Sequence, residues 1–335
     1  MIYKIMAAAA LVVTFVVTVL ISRKLIPILK SKKMGQKILD IGPRWHKSKE
    51  GTPTMGGIAF IVAILAVGAV ISAVIWVLDG ASVALPLIFT LGLGLAGGLI
   101  GCIDDAAKLR NKRNEGLTAS QKFLLQLLAA ALYLAGMAFV CGMKTSLYIP
   151  FVDVSIDFGI AYYIISMLLI CGMLNSVNLT DGIDGLASSV TLVVGIFFIA
   201  AGFANGLAEP DGSLLSLGAL TVGGCAGFLV YNLNPARVFM GDTGSIFLGG
   251  LVVGGAFMMN NPLIIIVCGL VYIIETASVM LQVTYFKLTH GKRLFKMAPI
   301  HHHFEKCGWT ENKIVAVFTA VTAILSVVAF FGINK

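Results

Sequence analysis

Adjacent carboxylates repel each other, and this chain places a pair at the end of an apolar run: Asp104 and Asp105 in "GCIDDAAK", with Lys108 one helical turn on. Two readings fit: a solvated helix end, or a site for Mg²⁺ or acid/base work in which Lys108 balances charge or contacts a phosphate. Further polar stretches raise the same choice. In "NSVNLTDGIDGLA", Asp181 and Asp184 are three apart, which on a helix gives one face, while Gly182 and Gly185 favour a turn whose backbone can come close to a ligand. A capped helix start explains that pattern equally well. In "YNLNPARVFMGDTGS", Asp242 lies between glycines and is followed by Thr243 and Ser245, the makings of an N-cap or of a metal ligand beside a phosphate-accepting turn.

The stretch "APIHHHFEKCGWTE" holds His301, His302 and His303, in a chain with only two other histidines, His46 and His290. Neighbouring side chains point apart on a helix or a strand, so the run makes a poor zinc site, and it is too short and too embedded for a purification tag. Hydrogen-bond donors or partial cations toward phosphate, a proton carrier near neutral pH, and solvated surface residues are the readings that stay open. "HKSKEGTPTMGG", with Lys49, is the fifth stretch.

The elements that must position these residues are set by composition. Of 335 residues 58% are hydrophobic and 12% charged, and the mean hydropathy is +0.96. Apolar runs of about eighteen residues or more recur along the whole chain, which predicts an all-α polytopic membrane protein, residues 1–335 forming one integral membrane domain. Ten spans are expected, near 5–26, 55–78, 83–103, 121–141, 160–177, 186–204, 214–231, 245–259, 262–286 and 313–333. The first run is followed, not preceded, by its basic residues, and so reads as a retained helix and not a signal peptide. "KTSLYIPFVDVSIDFG", between spans four and five, alternates apolar and polar residues and predicts a short β-hairpin.

Lys and Arg fix the expected orientation. Segments 23–53, 104–122, 232–244 and 287–313 hold 21 of the 24, and Lys4, Lys144 and Lys335 alone fall on the other face. Basic loops stay in the cytoplasm, so both termini and the hairpin are expected to be extracytoplasmic, and all five polar stretches to meet at the cytoplasmic face. The net charge of +8 suits anionic membrane lipids or phosphorylated substrates. Nucleic acid is disfavoured, because the basic loops lack interleaved aromatics and any binding module. Where carboxylates and amides converge with basic loops, hard oxygen ligands select Mg²⁺, which completes its shell with water and substrate phosphates. The six cysteines are isolated and read as small buried hydrophobes.

Taken together, "GTPTMGG", "DDAAK", "NLTDGIDGLA", "NPARVFMGDTGS" and "PIHHHFE", in that order, resemble the bacterial phospho-MurNAc-pentapeptide transferases (translocase I) of the polyprenyl-phosphate N-acetylhexosamine-1-phosphate transferase superfamily. The resemblance implies ten transmembrane helices, a homodimer in the bacterial cytoplasmic membrane, and a cytoplasmic site. There, with Mg²⁺, phospho-MurNAc-pentapeptide passes from UDP-MurNAc-pentapeptide to undecaprenyl phosphate, giving lipid I and UMP. It implies that Asp242 is the magnesium ligand, that Asp104 and Asp105 lie beside the lipid phosphate, that Phe239 stacks on uracil and that Asp184 helps to hold the nucleotide. Lys49, Asn178, Asp181 and Asn232 match positions around the nucleotide pocket, and Lys108 and Lys122 match positive positions in the same cleft. His301 is implied near the phosphates as a catalytic group, with His302 and His303 on the substrate side.

Two rivals are a sister enzyme that transfers GlcNAc-1-phosphate, which the histidine segment disfavours, and an ion-coupled transporter. A transporter needs acids along its spans, yet Glu275 in the ninth run is the one acid deep within a span. Glu275 has two readings of its own, lining a lipid groove or pairing with a neighbouring helix.

Overall fold

The computed structural model describes residues 1–32, 35, 49–111, 116–204 and 211–333. Parts of the basic loops, including Lys33, Lys37, Arg44, His46, Lys47, Lys112 and Arg113, lie outside the described residues, as does Lys335. The order of elements is α1 (Ile2–Ser31), α2 (Ile58–Asp79), α3 (Ala81–Asn111), α4 (Ala119–Phe139), β1 (Ser146–Ile149), β2 (Val154–Asp157), α5 (Ile160–Thr180), α6 (Leu186–Ala204), α7 (Gly212–Asn232), α8 (Gly241–Met258), α9 (Ile265–Cys268), α10 (Leu270–Leu288), α11 (Ile300–Lys306) and α12 (Glu311–Phe331). Among the described residues nine helices are long and apolar enough to cross a membrane, and ten if a bent pair counts as one span. The chain is a mostly helical, multi-pass membrane protein.

The ninth span is a correction to the sequence reading. The run 262–286 is not one straight helix: a 3₁₀ turn at Pro262–Ile264 leads into α9, and α10 leaves it at 80°. The joint is Gly269, where a Cβ would stand 2.6 Å from the Ile265 carbonyl oxygen, so the backbone turns at the one residue small enough to allow it. The third span also runs further than expected. α3 continues through Asp104 and Asp105 to Asn111, because Lys108 pairs with Asp104 one turn away, at 2.6 Å, and offsets their repulsion.

α8 forms the centre of the bundle and is buried along almost its whole length. Its small residues let α3 and α5 approach closely, the means by which membrane helices associate without a hydrophobic driving force. On α3 the glycines fall at one-turn spacing against it. A Cβ on Gly94 would lie 2.9 Å from the Leu251 side chain, one on Gly97 2.8 Å from the Ile246 carbonyl, and one on Gly101 2.1 Å from the Asp242 carbonyl. This seam sets the height of Asp104 and Asp105 against Asp242.

The predicted hairpin is present, antiparallel, with Ser146 opposite Asp157 and Ile149 opposite Val154. It caps the end of α4 and the start of α5. Asn261 donates to the Gly332 carbonyl at 3.2 Å, and Tyr3 hydrogen-bonds Asp79 at the end of α2. The Phe151 ring in the hairpin turn lies against Gly332, so the start of α1, the end of α12 and the hairpin gather at one end of the bundle. The polar stretches collect at the other, about 30 Å away along a helix of this length.

Candidate active site

Two helix ends build the acidic centre. Asp105, buried near the end of α3, accepts from the Thr243 amide at 3.0 Å, the Thr243 hydroxyl at 2.8 Å and the Asp242 amide at 3.3 Å. A carboxylate from one helix thus caps the N-terminus of another, where free amides and the helix dipole favour negative charge. Gly241, at φ +69°, makes the turn possible; a Cβ there would stand 2.5 Å from the Asp105 carboxylate. Asp104 accepts from the Leu117 amide at 2.8 Å and pairs with Lys108. One oxygen from each of Asp104, Asp105 and Asp242 falls within 4.8 Å of the others.

Cations and amides surround this cluster. Asp242 Oδ2 accepts from Lys108 Nζ at 3.0 Å and from Lys122 Nζ, on the first turn of α4, at 2.8 Å. Asp242 Oδ1 accepts from Asn178 Nδ2 at 2.9 Å, and Asn178, on the last turn of α5, also donates to Ser245. Six residues singled out in the sequence therefore meet from four elements: Asp104, Asp105 and Lys108 on α3, Lys122 on α4, Asn178 on α5 and Asp242 on α8.

A second group lies beside it. Asp184 is buried and accepts from Lys49 Nζ at 2.7 Å, Asn234 Nδ2 at 3.0 Å and the Ala236 amide at 2.9 Å. Asn232 donates to the Val238 carbonyl at 2.9 Å. Phe239, half-buried, is held by backbone bonds to Pro53 and Gly56, each 2.8 Å. Sequence reasoning missed Glu311, the first residue of α12. Its carboxylate takes Lys49 Nζ at 2.6 Å and the Asp184 amide at 3.1 Å, tying α12 to the loops that carry both. An acid in the first turn of a helix looks like ordinary dipole complementation in sequence, so nothing marked it. Glu311→Ala is expected to raise KM for a nucleotide substrate about tenfold with kcat nearly unchanged, as a lost binding contact does; initial-rate kinetics check this.

Asp181, at the end of α5, is half-buried. Burial first, then the charges of Asp242, Asp105 and Asp184, push its carboxyl well above the ordinary range. It therefore keeps its proton at pH values where a free aspartate is ionised, and a cation placed among its neighbours favours the ionised form. Affinity of the cluster for a divalent cation is accordingly expected to rise with pH through that raised pKa, with proton release on binding. Titration calorimetry in buffers of different ionisation enthalpy would reveal it, and binding without proton release would contradict it.

The three histidines lie on α11 and part company. His301 is fully buried, its Nδ1 2.9 Å from Glu275 Oε2 on α10. Glu275 thus pairs with a neighbouring helix. His302 Nδ1 meets Glu305 at 2.5 Å, and His303 Nδ1 accepts from the Lys296 amide at 3.1 Å. Adjacent as they are in sequence, they face three different partners.

The chain matches the family described as glycosyl transferase family 4 over residues 87–260, more than half its length and inclusive of every residue of the acidic centre. It is a transferase of that class. Residues 49–61 match phospho-N-acetylmuramoyl-pentapeptide-transferase signature 1. The chain is 45% identical over 322 residues to the phospho-N-acetylmuramoyl-pentapeptide-transferase of Clostridioides difficile (strain 630), covering 96% of each. It is also 45% identical over 328 residues to that of Staphylococcus aureus (strain bovine RF122 / ET3-1), covering 97% of each. The chain belongs to the phospho-N-acetylmuramoyl-pentapeptide-transferase family.

Proposed function

We propose that this chain transfers phospho-MurNAc-pentapeptide from UDP-MurNAc-pentapeptide to undecaprenyl phosphate, releasing UMP and forming lipid I, in the bacterial cytoplasmic membrane. The observation that carries the reading, with the family, is the meeting of three carboxylates and two lysines at one end of an apolar bundle. A lipid acceptor can reach such a site with its tail in the bilayer and its phosphate at the interface.

The donor set fits Mg²⁺. It is all oxygen, with no thiol or imidazole among the three, and two ammonium groups already crowd Asp242 Oδ2, where a divalent cation would take the same charge. Asp242 would be the ligand, with Asp104 and Asp105 alongside. Bound there, Mg²⁺ supplies neutralisation of a diphosphate and of the phosphate leaving with UMP.

The chain's own residues do the rest. Lys108 and Lys122 offset the charge of two anionic phosphates brought together, which is the main obstacle to this reaction. Asp104 or Asp105 takes the last proton of the acceptor phosphate at a carboxylate oxygen. Lys49, Asp184 and Asn232 frame the nucleotide, Phe239 offers its ring to uracil, and Asn178 fixes the Asp242 carboxylate. His301 stands behind the turn of Asp181 and Asp184, with His302 and His303 toward the substrate side.

Residues 1–335 form a single domain in this reading, acting as a homodimer. The site end faces the cytoplasm in this reading, since 21 of the 24 basic residues fall in the sequence segments assigned to that face. Both termini and the hairpin face outward. The test is UMP release by detergent-purified protein supplied with Mg²⁺, undecaprenyl phosphate and either UDP-MurNAc-pentapeptide or UDP-GlcNAc. Release with the first only, abolished by EDTA, is expected; release with UDP-GlcNAc would move the chain to the sister activity.

A further inference from the structure

Glu275 is an acid inside a membrane-spanning helix, and both it and His301 are 0% exposed. A buried acid is costly there, and a carboxylate–imidazole pair of this kind repays its desolvation only with good geometry. Each group nonetheless spends only half of its capacity. Glu275 Oε2 and His301 Nδ1 meet at 2.9 Å, while Glu275 Oε1 and His301 Nε2 are buried with no hydrogen-bond partner among the described residues. A pair built for stability alone is better replaced by apolar side chains, so this one invites another account.

The free edge of the imidazole supplies it. A Cβ on Gly182 would stand 2.2 Å from His301 Nε2 and 2.4 Å from Cε1. The ring therefore lies directly on the backbone of Gly182, in the turn that carries Asp181 on one side and Asp184 on the other. One hydrogen bond at Nδ1 fixes the ring plane, and the ring plane fixes how far the turn can relax away from the acidic centre. Only glycine leaves room for this contact.

We infer that Glu275 is a positioning residue for the transfer reaction: it holds the His301 imidazole against Gly182, and through it the turn bearing Asp181 and Asp184. The inference rests on the transferase reading above and adds to it a residue of α10 that meets the Asp181–Asp184 turn through the His301 ring. Glu275 acts only through His301, and this sets it apart from an acid that merely stabilises α10.

The test is a double-mutant cycle on UMP release, with kcat and KM determined separately. Glu275→Leu is expected to lower kcat about 10- to 100-fold, the size of effect seen when an outer hydrogen-bond partner is removed, with KM for the nucleotide sugar changing less than about threefold. Glu275→Gln, which keeps an oxygen acceptor at the same reach, is expected to recover most of that loss. In a His301→Ala background, Glu275→Leu is expected to lower kcat by less than about twofold more. Where Glu275→Leu does not yield folded protein, Glu275→Asp, one methylene short of the imidazole, carries the same cycle. Equal losses in both backgrounds, a KM effect with kcat intact, or full turnover by Glu275→Leu would each overturn the inference. No release by the wild-type protein would overturn instead the transferase reading beneath it.

Discussion

Asp242→Asn is expected to lower Mg²⁺-dependent UMP release by at least about 10³-fold while the protein stays folded. The carboxylate has two oxygens and both are committed: Oδ2 to Lys108 and Lys122, Oδ1 to the Asn178 amide. An asparagine keeps the shape but offers one acceptor and two N–H donors. Whichever way the amide lies, its NH₂ faces donors, either the two ammonium groups or the Asn178 NH₂. The substitution also removes the only one of the three clustered carboxylates that both lysines contact within 3.0 Å, leaving two cations with less to balance them. Folding survives because the seam of α3 and α8 and the Asp105 cap on α8 do not involve the Asp242 side chain. The measurement is UMP release alongside Tm and Mg²⁺ affinity. Retained turnover, or lost turnover with Mg²⁺ affinity unchanged, would remove Asp242 from the metal.

What could be read from sequence followed from periodicity and polarity. Ten apolar runs gave the spans, because in a bilayer every backbone group must bond within its own helix and the required length is fixed. The hairpin followed from alternation around Pro150. Asp104, Asp105 and Asp242 stood out because acids at the ends of apolar runs need a reason. The bend at Gly269 did not show, since the run 262–286 is apolar throughout and a direction change leaves no trace in hydropathy. Neither did Glu311, whose partners Lys49 and Asp184 are 262 and 127 residues away and meet it only in the fold. Glu275 was legible as an anomaly, but its partner was not, because the pairing depends on where α11 docks against α10.

Gly101 carries no functional group of its own, yet Gly101→Ala is expected to lower kcat about 100-fold or more. A Cβ there would meet three backbone atoms, the Asp242 carbonyl oxygen at 2.1 Å, its carbon at 2.3 Å and the Thr243 nitrogen at 2.5 Å. A side chain could swing aside, but these atoms cannot, so α3 and α8 must part or slide by about 1 Å, and a displacement of that size at a reacting centre costs about 10²-fold. The helices move as units, so the shift carries Asp104 and Asp105 away from Asp242 and breaks the cap on Thr243 together with the cluster. Helix propensity works in the opposite direction, since alanine is favoured over glycine by about 1 kcal/mol in a helix interior, and so cannot be the cause of a loss. Gly92→Ala, on the same helix with nothing within 4 Å of its would-be Cβ, supplies the control and is expected to turn over at the wild-type rate. If both alanine variants were equally active, the close seam between α3 and α8 would not be what sets the distance between the acids. If Gly101→Ala alone is silent but folded, the spacing of two helix backbones is as much a part of the site as the carboxylates they carry.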